Sequence, residues 1–152
     1  MEACGLIGEG EIIRDIDAGK KFAANAALTI AMKGSSRPLE DTGQLKSSIN
    51  SKVTGWDEAI IGVLANKRVK GRRGKPDYIL SIAYTLHEGK KIRVTKKMRR
   101  YMASIGVPLK ASTKYIIIPP RKFLLSALSR DAKRKYKKEW DDAVQRSLKG
   151  VG

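Results

Sequence analysis

Asp41-Thr42-Gly43 is the first stretch whose residue types could do chemistry. In aspartic proteases an Asp-Thr-Gly aspartate shares a proton with a twin carboxyl, because two carboxylates so close cannot both ionise. That arrangement needs an apolar strand leading into the aspartate. Here Glu40 precedes it, and Ser35-Ser36-Arg37-Pro38-Leu39 is a polar loop. Asp41 and Thr42 therefore read as turn or strand-start caps for nearby backbone N–H groups. His87-Glu88 holds the one histidine. Without a second His or Cys beside it, it makes no zinc site. Without a nucleophile it makes no acid–base pair, so it is expected to be a helix-end residue. Gly8-Glu9-Gly10 lacks both the third glycine and the Lys-Ser/Thr of a phosphate loop. Cys4 is the single cysteine and cannot close an internal disulfide, which suits a reducing compartment. It falls in residues 1–10, expected to fray. No catalytic, cofactor-binding or metal-binding residue is assigned, and no cofactor is expected.

The remaining chemistry is electrostatic. The chain carries +17 at pH 7, unevenly placed. Residues 1–60 hold 7 Lys/Arg against 9 Asp/Glu, a net of −2, whereas residues 61–152 hold 25 against 6, a net of +19. Such asymmetry points to a face that meets phosphate or an acidic protein surface. A solubilising coat is the plainer alternative. One cluster is Lys67, Arg68, Lys70, Arg72, Arg73 and Lys75, in a loop at 66–76 with two glycines, a proline and no acid, expected to be mobile. A second is Lys90, Lys91, Arg93, Lys96, Lys97, Arg99 and Arg100. No helix-turn-helix, zinc module or set of stacking aromatics accompanies them. Non-specific phosphate contact, or docking on an acidic protein ring, fits better than base reading.

The elements that must position these residues suit one domain over 1–152. No apolar run of about 18 residues suggests a membrane span, and the acidic start lacks the features of a signal peptide. Ile12, Ile13, Ile16, Phe22, Ala23, Ala26, Ala27 and Ile30 predict a helix over 11–33, stopped by Gly34. Alternation over Leu45–Val53, a turn at Gly55 and the run Ala59–Leu64 predict an antiparallel pair. Pro76 and Gly89 favour a helix between them over a strand, though the apolar run permits either. Thr95 is expected to cap a further helix that turns Met98, Tyr101, Met102 and Ile105 inward. Tyr115–Ile118 is apolar on both faces and predicts a fully buried strand. Pro119 and Pro120 must end its pairing. A long helix should then run to about Leu148. Its stripe of Leu124, Leu125, Leu128, Ala132, Tyr136, Trp140, Ala143 and Val144 drifts around the axis. The first half is expected to cap the core, and the second half, with Trp140, Val144 and Leu148, to face something else. The fold class predicted is α+β: a small antiparallel sheet packed against an N-terminal helix and a long C-terminal helix.

Two segments carry a family resemblance. "PLEDTGQLKSSI" (Pro38–Ile49) resembles the P-L-x-D-T-G-x-L-x-x-S-I segment of tailed-phage virion morphogenesis proteins, the tail-completion or head–tail joining proteins of the neck. "IPPRKFL" (Ile118–Leu124) is similar to the same family's I-P-x-R-x-F-L segment, with Lys122 where a second proline is usual. "VTKKMRRYMASIGVPLK" between them resembles its linker helix. His87-Glu88-Gly89 lacks the aromatic of the usual His-Glu-Phe-Gly. The resemblance spans roughly residues 12–145. It implies an α+β subunit with a structural role and no reaction, assembled in the host cytoplasm into a ring, often a hexamer, in the virion neck. Its partners would be head connector or neck proteins and tail tube or terminator proteins, with non-specific contact to the DNA passing through. On this view Arg121, Trp140, Val144 and Leu148 join the six loop cations as docking residues. Asp41, Thr42, Gly43, Pro119, Pro120 and Phe123 are structural. Ring subunits join unlike patches, which the acidic first third and the basic remainder would supply. The rival function is that of a small basic protein binding nucleic acid without sequence preference. A hydrolase using Asp41 is the third.

Overall fold

The computed structural model describes residues 1–64, 67–70 and 76–150. Helix α1 (Glu2–Ala18) is followed by α2 (Ala27–Lys33), the short α3 (Gln44–Ser47), and strands β1 (Ile49–Val53) and β2 (Ala59–Val63). Next come β3 (Arg68–Lys70), β4 (Pro76–Tyr78), α4 (Ile79–Glu88), β5 (Lys90–Arg93), α5 (Lys96–Ser104) and β6 (Tyr115–Ile118). A 3₁₀ segment, Phe123–Leu128, leads into α6 (Arg130–Lys149). The class is α+β, with small antiparallel sheets, an N-terminal helix and a long C-terminal helix.

The strands form three separate two-stranded ribbons, β1–β2, β3–β4 and β5–β6, instead of one sheet. The first is the antiparallel pair that the alternation predicted, with Ile49 opposite Val63 and Val53 opposite Ala59. The core gathers around α1. Phe123, Ile12, Ile16, Ile49 and Ile79 are its largest fully buried side chains, joined by Leu45, Ala83 and Ala127. The 3₁₀ segment brings Phe123 and Ala127 to α1, which also packs on β1, β2 and α6.

Several expectations are corrected. Residues 1–10 do not fray; they are the first turns of α1, with Gly5 and Gly8 buried. The reason is close packing. A Cβ on Gly8 would meet Ile61 Cδ1 at 2.3 Å and Tyr136 Oη at 2.5 Å. Tertiary contact here overrides glycine's weak helix propensity. The helix expected over 11–33 is two helices, divided where Gly19 turns left-handed at φ 64°. Gln44–Ser47 is helical, so the strand begins at Ile49 and not Leu45. The loop at 66–76 is partly a hairpin, with Arg68 opposite Tyr78 and Val69 opposite Asp77; Arg72, Arg73 and Lys75 lie outside the described residues. Pro76 therefore sits in a strand, and the helix begins at Ile79. Tyr115–Ile118 is not buried on both faces, for Ile117 is 66% exposed. Among the described residues it pairs only with Lys90–Arg93. Pairing does stop at Pro119. The long C-terminal helix does not start there, because Ser129 interrupts it and caps α6 by accepting from Ala132 N. Thr95 caps α5 as expected, accepting from Met98 N, and Met102 is buried, but Ile105 is exposed.

Candidate functional site

The two motif segments meet inside the body. Arg121, expected at a docking surface, is instead buried at 5% exposure. Its Nε donates to Ala23 O at 3.0 Å, and a terminal nitrogen donates to Asn25 Oδ1 at 3.0 Å. The amide of Asn25 in turn donates to Ser36 O at 3.1 Å and Arg37 O at 2.9 Å. The guanidinium thus ties the chain after Pro119-Pro120 to the loop that leads into Pro38. Burial lowers the Arg121 pKa from its ordinary value. Pro38 is buried, and Leu39 is held at φ 61°, a left-handed conformation that costs a non-glycine residue about 1–2 kcal/mol. Gly43 takes the N-cap position of α3 at φ 73° and has no side chain with which to cap. Asp41, Thr42 and Gly43 line an open cleft of about 300 Å³ with Asp77, Ile79 and Leu86. Among the described residues no group of three or more His, Cys, Asp or Glu is placed to hold a metal ion. No described helix is long and apolar enough to cross a membrane.

His87 lies near the end of α4, as predicted. Its ring meets Phe123 edge-on, with centroids 5.3 Å apart at 81°. Its Nδ1 is buried without a hydrogen-bond partner. Burial, then the nearby Lys122 ammonium, lowers the imidazole's pKa, against a smaller upward pull from Glu88. The folded protein therefore holds His87 neutral while the unfolded chain protonates near 6.5. The unfolded state binds more protons below that value, so stability is present above it and falls as pH drops toward the folded pKa. Urea midpoints measured from pH 7.5 to 5.0 should fall for the wild type and fall less for His87→Leu. Parallel curves would refute this assignment.

A larger, apolar groove lies elsewhere. Met1, Cys4 and Gly5 of α1, Ala59 and Ile61 of β2, and Tyr136 and Trp140 of α6 line a groove of about 490 Å³. Tyr136 Oη donates to Ala127 O at 2.8 Å, which fixes the start of α6 on the body. Past this point the helix leaves the core. Trp140, Val144 and Leu148 are 54%, 42% and 67% exposed, and with Ala143 they continue the groove as a strip along one helix face. The sequence's drifting stripe marked this strip correctly. It missed the contribution of Met1, Cys4 and Gly5, because residues 1–10 read as a frayed terminus.

No family model, curated protein or solved structure matches the chain.

The charge distribution also changes meaning in three dimensions. Four of the five α1 carboxylates, all but the exposed Glu2, are engaged within the subunit. Glu11 pairs with Arg14 and Lys135, Asp15 with Lys21, and Asp17 with Lys46. Glu9 accepts from Ser51 N at 3.0 Å. Burial pushes the Asp15 carboxyl up, but bonds from Lys21 and Ser126 outweigh it and its pKa falls. Much of the acidic charge of α1 is therefore spent within the subunit, while Glu2, Asp57 and Glu58 stay exposed. Lys67 and Arg68 are exposed, and Arg68 sits 5.7 Å from the centre of the Tyr78 ring.

Proposed function

We propose that this chain is a structural subunit of a tailed-phage neck, assembling into a ring between the head connector and the tail, and that it catalyses no reaction. The observation that carries the reading is the uncovered apolar strip Trp140, Val144 and Leu148 running into the groove beside α1. Contiguous apolar patches of this kind on a folded subunit mark interaction surfaces. The resemblance of Pro38–Ile49 and Ile118–Leu124 to neck proteins supports the role. The bonds that tie Arg121 to the loop leading into Pro38 also fit a scaffold role for this part of the chain.

The test is self-association followed by light scattering across a concentration series. The wild type should pass to a ring-sized species at high concentration. Trp140→Ser with Leu148→Ser should stay monomeric with an unfolding free energy within about 0.5 kcal/mol of wild type, as exposed positions allow. Truncation after Lys138 should do the same. That cut spares Ala132, Tyr136 and the Lys135–Glu11 pair, which hold α6 to the body. A variant that assembles as well as wild type, or a wild type monomeric throughout, would remove the support for this reading.

A further inference from the structure

Residues 90–118 form an arm. β5 and β6 pack chiefly on each other, α5 is carried between them, and both ends join the body side by side at Gly89 and Pro119. Gly89 is required there. It sits at φ 77°, and a Cβ would meet Ile118 O at 2.7 Å and Pro120 N at 2.8 Å. The arm contains nine Lys/Arg and no Asp/Glu, so it carries more than half of the chain's +17. All nine except Arg99 are exposed. Arg99 is consumed internally, donating to the carbonyls of Lys110, Ala111 and Thr113 and so fixing the return segment. Among the described residues no arm cation pairs with a carboxylate.

We propose that this arm is a surface for the phosphate backbone of duplex DNA, bound without sequence preference. Lys96, Lys97 and Arg100 fall within one arc of α5, at spacings that bring side chains together. The opposite arc holds Met98 and the buried Met102. Lys91 and Arg93 share the exposed face of the ribbon with Tyr115 and Ile117. An acid-free surface of this density matches a polyanion, where each phosphate neutralised releases counterions. Other partners fit less well. Glu11, Asp15 and Asp17 of α1 are already paired within the subunit, so that helix offers a second copy little free negative charge beyond Glu2. Single strands are held by stacking on open aromatic faces, but the Lys91 ammonium covers the Tyr115 ring at 4.3 Å. The arm has no Asn, Gln, Asp or Glu to read adenine or cytosine edges. Anionic membrane would need the apolar arc of α5, whose Met102 is turned inward.

The experiment is fluorescence anisotropy on the whole chain with short labelled DNA duplexes of unrelated sequence, over a salt series. Lys96→Gln/Lys97→Gln/Arg100→Gln should bind roughly ten- to a hundred-fold more weakly near physiological salt, with a log–log salt slope shallower by about 3. Arg99 is kept, so circular dichroism and the urea midpoint should be unchanged. Lys133→Gln/Lys137→Gln/Lys138→Gln removes the same charge from α6 and should weaken binding only a few-fold. The proposal is overturned by an inert wild type at low salt, or by equal losses in the two variants. A strong preference for one duplex, or tighter binding to an RNA duplex, anionic vesicles or polyglutamate, overturns it too. The assay reads DNA binding by subunits in solution, so a negative result leaves the assembly reading standing.

Discussion

Arg121→Ala should lower the unfolding free energy by about 3 kcal/mol, measured as a drop in urea midpoint at an unchanged slope. The side chain is buried and makes two directed bonds, to Ala23 O and Asn25 Oδ1. Hydrogen bonds from a charged donor contribute about 1.5–3 kcal/mol each. Their loss leaves acceptors unpaired in the interior, while removal of the guanidinium's own desolvation cost offsets part of the total. Arg121→Lys should recover less than half of the loss. An ammonium on a flexible stem does not reproduce a planar fork aimed at two fixed oxygens. The loop at 35–37 should lose hydrogen-exchange protection in both variants, because Asn25 is no longer held. A stability change below about 0.5 kcal/mol, the range of an ordinary surface substitution, would mean that the network contributes nothing.

Phe123→Ala is expected to be the costlier change, about 3–5 kcal/mol, as for other fully buried aromatic truncations. Phe123 has no exposed surface, packs with Ile12, Ile16 and Ile79 in the core, and supports the His87 ring edge-on. Phe123→Leu should cost less than half as much, since much of the volume is retained. Single domains have about 5–15 kcal/mol in all, so the alanine variant should be partly unfolded at modest urea. The two sites lie two residues apart, and the double variant should not be additive. A Phe123→Ala midpoint close to that of Phe123→Leu would show that the neighbouring side chains collapse into the space.

Periodicity located most of the elements, and it failed where tertiary contact decides. The β1–β2 pair, the α4 helix, the Thr95 cap and the stop at Pro119 were legible because each rests on local chemistry: alternation, a glycine stop, a hydroxyl cap, a missing N–H. The first turns of α1 were not legible, since Gly5, Gly8 and Gly10 argue against a helix; close packing on Ser51 explains Gly5, packing on Ile61 and Tyr136 explains Gly8, and nothing lies against Gly10. Tyr115–Ile118 misled for the reverse reason. Four apolar residues in a row usually mean burial, yet here they pair with a single basic strand on an arm. Trp140, Val144 and Leu148 were identified as surplus apolar surface. Arg121 was misplaced, because a basic residue after two prolines gives no sign of the carbonyls that wait for it almost a hundred residues earlier.

The order of the core contacts bears on synthesis. Each ribbon closes between near neighbours in sequence, so β1–β2 and the arm can form soon after they are made. α1 is different: its partners include Phe123 and Ala127 of the 3₁₀ segment and the first turns of α6. Domains are made from the N terminus at about 5–20 residues per second. The first helix can meet β1 and β2 early, but it waits several seconds for Phe123 and Ala127 to complete the packing around Ile12 and Ile16. A nascent chain arrested before Phe123 should be open to protease along α1, and one extended past Tyr136 should be closed.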